Sequence, residues 1–299
     1  MIPDTTMKQI FLSAIRIEVE KDDEQFPYSE GTGFIYSATT GENKTPALVT
    51  NWHVISNATK ITFHFHQGAQ RVPSLGEMCS VSIENPFNQP DSLKPVRHPD
   101  TDIDLAVLPI GWALNGLTER GYNPFTVMLD SSICPSPEAV EEIDPGETVT
   151  FIGFPDGLYD RKHNTPILRR GIAATPLSLD WCGRPQFLVD ASVFPGSSGS
   201  PVFLVQNPPY RSGNQLIIGG AGRVFFLGVM TWVMDSPMHA EVEVARTPRV
   251  DIRQPIGLGI VQKWTTVEEN IDEMCRILGI TRSEIANISP DPDTVEMNG

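Results

Sequence analysis

The sequence predicts an all-β protein, and three observations support that prediction. Short runs of β-branched and aromatic residues recur along most of the chain. Gly, Pro, Asn and Asp separate most of these runs, which is typical of a sandwich or barrel and not of alternating strands and helices. Helical periodicity stays weak until residue 265. We therefore expect two β units followed by a C-terminal helix.

The strand-like runs form two groups on either side of residues 111–145, the least strand-like internal stretch. In chain order the runs lie at residues 33–36, 47–50, 61–66, 105–108, 149–154, 187–189, 201–205, 216–218, 224–233 and 256–261. We predict a first β unit at residues 1–115, a linker at 116–145 and a second β unit at 146–264. Residues 265–299 would then hold the C-terminal helices and an acidic tail.

The C-terminal segment has the periodicity of an amphipathic helix. Its apolar residues lie three or four positions apart: Val267, Ile271, Met274 and Leu278. Thr266 with Glu269 forms a capping-box signature, which predicts that the helix begins there. Thr281 with Glu284 repeats the signature and predicts a second, shorter helix. Residues 290–299 are acidic and too poor in apolar side chains to form a core, so we expect a disordered tail.

The charge and hydropathy of the chain exclude two kinds of partner. Its 299 residues carry 22 Lys and Arg against 37 Asp and Glu, which gives a net charge of −15 and a pI of about 4.8. Because nucleic-acid binding needs clustered Lys and Arg to neutralise phosphates, we expect no nucleic-acid partner. The longest nearly apolar run, residues 224–234, has 11 residues, whereas a membrane-spanning helix needs about 20. We therefore expect no membrane partner.

The N-terminus and the cysteines predict a cytoplasmic protein. Residues 1–24 lack the basic start, the long apolar stretch and the small-residue cleavage site of a secretory signal. The four cysteines lie far apart and form no CxxC pair: Cys79, Cys134, Cys182 and Cys275. This spacing is typical of reduced thiols and not of a disulfide framework or a zinc site. We therefore expect free thiols and no metal.

The sharpest local motif is Gly-Ser-Ser-Gly-Ser-Pro at residues 196–201, in which Ser198 is the candidate nucleophile. A nucleophilic serine needs an exposed hydroxyl beside backbone N–H groups that face a developing oxyanion, and flanking glycines allow that geometry. On its own, the motif is more often a simple Gly/Ser turn between two strands. The nucleophile elbow of α/β-hydrolases is excluded, because position 200 is Ser where that motif has Gly and only His239 follows.

Two further residues are candidates for a nucleophilic site. His53 lies in the run at residues 48–55, where a turn would project its imidazole from the β unit. A lone histidine in such a place is more often structural. Asp104 precedes an apolar run and is a candidate for the buried carboxylate that orients a histidine. It is equally compatible with the last solvated residue before a buried strand, and Asp100 and Asp102 are its local alternatives.

Together these signals resemble the trypsin/chymotrypsin-fold serine peptidases, and most of all their HtrA-like (Deg) branch. His53, Asp104 and Ser198 occur in that family's order, separated by 51 and 94 residues, on an all-β background. The matching segments span most of the chain: GTGFIY at 31–36, LVTNWHVI at 48–55, DIDLAVL at 102–108, GFP at 153–155, DASVFPGSSGSP at 190–201, FLGVMTW at 226–232 and IGLGIV at 256–261. The resemblance implies two six-stranded antiparallel β-barrels, the first with the His and Asp and the second with the Ser, followed by a C-terminal helix.

The resemblance also implies a role for each candidate catalytic residue. Ser198 would attack the scissile carbonyl, His53 would accept the serine proton and pass it to the leaving amine, and Asp104 would orient His53. The backbone N–H groups of Gly196 and Ser198 would form the oxyanion hole. This chemistry needs no metal or cofactor, and its partner would be a protein or peptide substrate.

Four residues are candidates for substrate binding on the same resemblance: Ser192, Thr231, Val233 and Gly257. Ser192 matches the bottom of the S1 pocket, where it offers no acidic floor for Lys or Arg. Val233 stands where many relatives have a glycine on the pocket wall, while Gly257 leaves the opposite wall open. We therefore expect a small or medium apolar P1 side chain.

Departures from the family bear on how such an enzyme would be regulated. Digestive members have an Asp before the nucleophile that pairs with a new N-terminus after zymogen cleavage, but this chain has Ser197, so we do not expect that activation. HtrA-like members usually carry a PDZ domain, whereas 36 residues follow Lys263, so we expect a stand-alone peptidase domain. Two alternatives stay open. One is a catalytically silent protease fold that binds partners, and the other is a protease held inactive until a partner protein or an oligomer orders its loops.

Overall fold

The computed structural model describes residues 6–23, 25–40, 44–69, 72–191, 197–212, 215–220, 222–240, 250–287 and 295–298. The α-helices in these residues are α1 (Thr6–Phe11), α2 (Trp52–Ile55), α3 (Gly111–Glu119), α4 (Pro137–Glu141) and α5 (Trp264–Leu278).

The described chain has more strand residues than helix residues. In chain order they are β1 (Ala14–Lys21), β2 (Tyr28–Ser37), β3 (Pro46–Thr50), β4 (Ala58–Ala69), β5 (Val72–Glu84), β6 (Val96–Arg97), β7 (Ala106–Pro109), β8 (Pro124–Phe125), β9 (Met128–Leu129), β10 (Thr148–Gly153), β11 (Ile167–Ala173), β12 (Gln186–Asp190), β13 (Pro201–Gln206), β14 (Tyr210–Ser212), β15 (Gln215–Ile217), β16 (Arg223–Ala240), β17 (Val250–Lys263) and β18 (Val295–Asn298). The all-β class that the sequence predicts is confirmed.

The first unit is a sheet with the strand order β18-β5-β4-β1-β2-β3-β7-β6, to which β8 adds on β4 and β9 on β2. Successive side chains of strand β2 point to opposite faces of the sheet, and from Gly31 to Ser37 both faces are buried. Ile35 packs with Ile17 inside the first unit. Phe34 and Tyr36 point the other way and pack against Phe226 of the second unit, with ring centroids 5.4 and 5.8 Å apart. Strand β2 therefore separates the core of the first unit from the interface between the units.

The second unit is a closed barrel with the strand order β10-β11-β12-β17-β16-β13. All six pairings are antiparallel. Its interior is filled by buried apolar side chains, among them Val149, Phe151, Phe187, Val202, Leu204 and Val261. This barrel is the one that the resemblance implied for the second unit. The described strands of the first unit pair instead as a ten-stranded sheet, in which β8, β9 and β18 add to seven other strands.

The stretch predicted as a linker, residues 116–145, packs on both units. Val140 and Ile143 near its end belong to the core of the barrel, while its earlier part packs on the first unit. Strands β8 and β9 lie within it and pair with β4 and β2. Helix α3 leads into it and buries Trp112 and Leu117 in the core of the first unit. The low strand content of this stretch therefore reflects short helices and two-residue strands.

The C-terminal helix α5 joins the two units. Its apolar residues Val267, Ile271 and Met274 are fully buried, as their helical spacing predicts. The helix contacts β6 and β7 of the first unit and β16 and β17 of the second. Directly after β6, Nε2 of His98 lies 3.3 Å from the Glu269 carboxylate of the helix.

The start of helix α5 differs from the prediction. The helix begins at Trp264, and Lys263 precedes it as the capping residue. Thr266 lies in the first turn, where its hydroxyl donates to the carbonyl of Lys263 at 2.7 Å. The predicted cap is wrong because β17 stays paired up to Lys263, whose amide donates to Pro185 O at 2.9 Å, and the chain turns helical directly afterwards.

The two C-terminal predictions have opposite outcomes. The second capping-box signature is confirmed, since the Glu284 carboxylate accepts from the amide of Thr281 at 2.7 Å, ahead of a short 3₁₀ helix at Arg282–Asn287. The tail predicted to be disordered contains strand β18, which pairs antiparallel with β5. Without β18, strand β5 would be the edge of its sheet, and the unpaired backbone groups of such an edge accept a further strand.

In the described part of the chain, no helix is both long enough and apolar enough to cross a membrane.

Candidate active site

His53 owes its position to the single turn of helix α2 that follows strand β3. Val54 and Ile55, the next two residues of the turn, are buried in the first unit. Because they hold one face of the turn against the core, the His53 side chain projects on the other side and keeps 34% of its surface exposed. The buried residues of this turn therefore anchor the backbone of His53, while its imidazole reaches the surface.

The carboxylate of Asp104 makes two contacts with His53. Its Oδ1 accepts from the backbone amide of His53 at 2.9 Å, and its Oδ2 contacts Nδ1 of the imidazole. A carboxylate that accepts from Nδ1–H fixes the neutral ring in the tautomer whose Nε2 carries a free lone pair. With that tautomer, Nε2 of His53 would be the proton acceptor of the candidate site.

The two neighbouring carboxylates have other roles. Asp102 pairs with the guanidinium of Arg184 at 2.9 Å, and both side chains are exposed. Asp100 accepts from the backbone amide of Asp102 at 2.9 Å and so closes its own loop. Of the three local candidates, the one that contacts His53 is Asp104.

Ser198 lies on the turn that leads into strand β13. Its hydroxyl donates to the backbone carbonyl of Thr231 on β16 at 3.0 Å. The backbone of the same turn is held on both sides: Ser198 O accepts from Thr32 N of strand β2 at 3.2 Å, and Gly199 N donates to Met230 O at 2.9 Å. The nucleophile candidate therefore sits where the first sheet meets the barrel.

Three polar residues that the sequence analysis did not single out hold this junction: Thr32, Thr50 and Asn51. The Thr50 hydroxyl donates to Thr32 O at 2.7 Å, and the Thr32 hydroxyl accepts from the amide of Phe154 at 2.9 Å. Asn51 is fully buried and donates to Asp104 O at 2.7 Å. The available signal was their place in the matching segments, Thr32 between two glycines and Thr50-Asn51 just before His53.

The residues predicted to bind substrate are described only in part. Thr231 is buried and lies beside Ser198, so the structure brings it to the site. Gly257 lies on β17 with φ +80°, and its carbonyl accepts from Ala191 N at 2.9 Å. The backbone of Val233 pairs with Gly259 across the same two strands. The predicted Ser192 and Gly196 lie outside the described residues.

This arrangement is suited to proton transfer from a hydroxyl. A hydroxyl becomes an effective nucleophile when a nearby base takes its proton, and the base acts best when a third group orients it. His53 and Asp104 are the candidates for the base and its orienting group, and Ser198 is the candidate for the hydroxyl. Among the described residues, no group of three or more His, Cys, Asp and Glu side chains is placed to hold a metal ion.

Comparison with known proteins identifies a family for more than half of the chain. No curated protein matches the sequence significantly. Among solved structures, the chain is similar to that of the active form of the Rv3671c protease from M. tuberculosis, with 16% identity, a TM-score of 0.45, and coverage of 94% of this chain and 86% of that one. Residues 31–207, which include His53, Asp104 and Ser198, match the trypsin-like peptidase domain family. Because that match spans more than half of the chain, this protein belongs to the trypsin-like peptidase family.

Proposed function

We propose that this protein is a serine endopeptidase that hydrolyses peptide bonds in protein substrates. The observation that carries the proposal is the pair of contacts from Asp104 to His53, one to the backbone amide and one to Nδ1. The amide contact holds the carboxylate against the turn that carries His53, and the Nδ1 contact orients the ring. Family membership supports the same reaction class.

The reaction would begin with a rotation of the Ser198 hydroxyl. Its proton points at the carbonyl of Thr231 and has to turn to Nε2 of His53. As the Oγ–carbonyl bond forms, the proton moves to Nε2 and the carbonyl oxygen becomes an oxyanion. The imidazolium then gives the proton to the leaving amine, the peptide C–N bond breaks, and an acyl-enzyme remains until water repeats the cycle.

The oxyanion would be held by backbone N–H groups. Gly196 and Ser198 are the donors that the family's geometry implies, and a preorganised donor of this kind is worth about 10²–10³ in turnover. Gly199, with φ +85°, lets the turn bend tightly directly after Ser198. That bend supports the placement of the Ser198 amide for this role.

For the substrate, we propose a small or medium apolar P1 side chain. The three residues that bear on it are Ser192 at the pocket floor and Val233 and Gly257 on its walls. Of these, Val233 and Gly257 lie on the adjacent antiparallel strands β16 and β17, as opposite walls of one pocket would. Cleavage of a peptide library followed by mass spectrometry tests this point, and a dominance of Lys or Arg at P1 would contradict it.

A latent form of the same enzyme is the second candidate. The hydrogen bond from Ser198 to the Thr231 carbonyl favours it, because this bond satisfies the hydroxyl proton and holds it away from the attacking geometry. We therefore propose an HtrA-like peptidase whose activity rises when a protein partner or self-association reorganises this turn. The extreme form of this candidate is a catalytically silent protein that uses the protease fold only to bind partners.

We also propose that the protein works in a reducing compartment such as the cytoplasm. The support is the state of the thiols: Cys79, Cys134, Cys182 and Cys275 are all free. Free thiols persist where glutathione and thioredoxin keep them reduced.

Labelling with a fluorophosphonate separates these candidates. The Ser198 oxygen attacks phosphorus, fluoride leaves, and the intact mass rises by one adduct. We expect one adduct on the wild-type protein and none on Ser198→Ala. Labelling of wild type only after a partner is added supports the latent form. Labelling of both proteins, or of neither under any condition, contradicts the proposed serine mechanism.

A further inference from the structure

Asn51 is a buried amide that bonds to the acid of the candidate site, Asp104, and to strand β16, whose Thr231 carbonyl accepts from Ser198. Asn51 lies in the chain between strand β3 and helix α2, two residues before His53, and its side chain is fully buried. Its Nδ2 donates to the backbone carbonyl of Asp104 at 2.7 Å and to the hydroxyl of Thr231 at 3.3 Å. An amide NH₂ group has two donors, and both are used here.

The orientation of this amide is fixed by its neighbours. Asp104 O can only accept, so Nδ2 and not Oδ1 has to face it. The Thr231 hydroxyl donates to Val229 O at 3.3 Å and so presents a lone pair to Nδ2. The chain of donors therefore runs in one direction, from Asn51 through Thr231 to the backbone of β16.

The two partners of Asn51 belong to different units of the protein. Asp104 lies in the first unit and holds His53, while Thr231 lies in the barrel and its carbonyl accepts from Ser198. A side chain that bonds to both fixes the distance between the acid–base pair and the nucleophile. Catalysis by such groups is sensitive to displacements of about 1 Å.

The oxygen of the Asn51 amide differs from its nitrogen in having no bonded partner among the described residues. This Oδ1 atom is also buried. Buried polar atoms are nearly always bonded, so an unbonded one in a folded protein calls for an explanation. A Leu of similar size would leave no unbonded oxygen here, so what this position gains from an amide is the two bonds of Nδ2.

We propose that Asn51 is a positioning residue, which sets the separation between the His53–Asp104 pair and Ser198 by bonding simultaneously to Asp104 and Thr231. This proposal rests on the proposed serine mechanism for its catalytic consequence. Its geometric part is independent of catalysis, because the environment of the His53 Nδ1 proton can be observed directly.

The test compares Asn51→Leu with a matched control, Asn270→Leu. Asn270 is also fully buried, lies on helix α5, and has no hydrogen-bond partner for either side-chain polar atom within the described residues. Two quantities are measured on each folded variant. One is the rate of fluorophosphonate labelling of Ser198 across pH 5–9, and the other is the low-field ¹H NMR resonance of the His53 Nδ1 proton, assigned by its loss in His53→Ala.

In Asn51→Leu we expect labelling to slow at least tenfold and the low-field resonance to shift or disappear, while Asn270→Leu keeps both within twofold of wild type. Equal effects of the two variants, or a normal rate and resonance in Asn51→Leu, overturn the proposal. If wild type is not labelled under any condition, the serine mechanism fails and the resonance alone decides the role of Asn51. A wild-type spectrum without a His53-dependent resonance overturns the geometry itself.

A second variant covers the case in which Asn51→Leu does not fold. Thr231→Val removes the hydroxyl that Nδ2 contacts but keeps the carbonyl that accepts from Ser198. We expect labelling to slow two- to tenfold, with a smaller shift of the resonance than the loss of both bonds would give. An unchanged rate and resonance in this variant overturn the proposal.

Discussion

Gly199 and Thr32 meet where the serine turn lies against strand β2, and a Cβ atom on Gly199 would lie 1.8 Å from the carbonyl oxygen of Thr32. The amide of Thr32 in turn donates to the carbonyl of Ser198. Gly199 also has φ +85°, a conformation that side chains disfavour. The position of Ser198 therefore depends on a close approach that only glycine permits.

Gly199→Ala is expected to displace the serine turn. The clash with Thr32 O adds to the backbone strain, so we expect the free energy of unfolding to fall by roughly 3 kcal/mol or more and fluorophosphonate labelling to slow about 10²-fold. Gly121→Ala is the matched control, because Gly121 has φ +89° and no neighbour within 4 Å of a Cβ. It should lose about 1–2 kcal/mol and label normally. If urea unfolding shows that both variants lose the same free energy of unfolding, the clash with Thr32 O is relieved without moving the serine turn.

Asp104→Asn is expected to reverse the tautomer of His53. An amide nitrogen at Oδ2 would donate to Nδ1, so the ring proton would move to Nε2 and the base would lose its free lone pair. For a Ser-His-Asp triad of this family, such a change costs about 10⁴ in turnover. Asp102→Asn, on the same loop but paired with Arg184, should keep the labelling rate within twofold. Similar rates in the two variants would show that Asp104 does not set the tautomer.

The sequence was sufficient to predict many of the strands and the C-terminal helix, because their side-chain patterns are local. Ile35 and its neighbours alternate between two buried faces, and Val267, Ile271 and Met274 recur at helical spacing. These patterns need no knowledge of distant partners. The contact between His53 and Asp104 was also predicted, although from the family's motif order and not from periodicity.

What could not be predicted depends on contacts between distant segments. Thr266 carries a good capping signature, but the pairing of β17 up to Lys263 decides where the helix starts. Strand β18 pairs with an edge more than 200 residues away in the chain. Asn51 and Thr231 meet 180 residues apart, across the two units. In each case an ordinary polar or acidic sequence takes its role from a partner that local pattern does not reveal.

The carboxylate of Glu18 is expected to make folding sensitive to acid. A hydrogen bond from His64, opposed by burial and helped by the charges of His64 and Arg16, lowers the pKa of Glu18 from 4.5 to about 2. Because the pKa is lower in the folded state, its contribution is complete above pH 4.5 and is lost as the pH falls towards 2. Since the side chain is 42% exposed, solvent screening reduces that contribution to about 1 kcal/mol.

The measurement for Glu18 is urea unfolding at pH 6 and pH 3. Glu18→Gln should lower the free energy of unfolding at pH 6 by about 1 kcal/mol and by much less at pH 3, where the wild-type carboxylate is already losing its advantage. Glu20→Gln, on the same strand, controls for the introduction of an amide. A loss for Glu18→Gln that is the same at both pH values would contradict this role for the carboxylate.

The four thiols are expected to differ strongly in reactivity. Burial raises the pKa of Cys79 and Cys134 to about 11 and raises that of Cys275 as well, whereas Cys182 is exposed. The thiolate is the reactive form, so at pH 8 a maleimide or iodoacetamide should add once and quickly, with further adducts at least about 100-fold slower. Cys182→Ser should abolish the fast adduct, and guanidinium should expose every remaining thiol. Intact-mass spectra over time measure both rates, and a second adduct that forms as fast as the first would show that a buried thiol is reached in the folded protein.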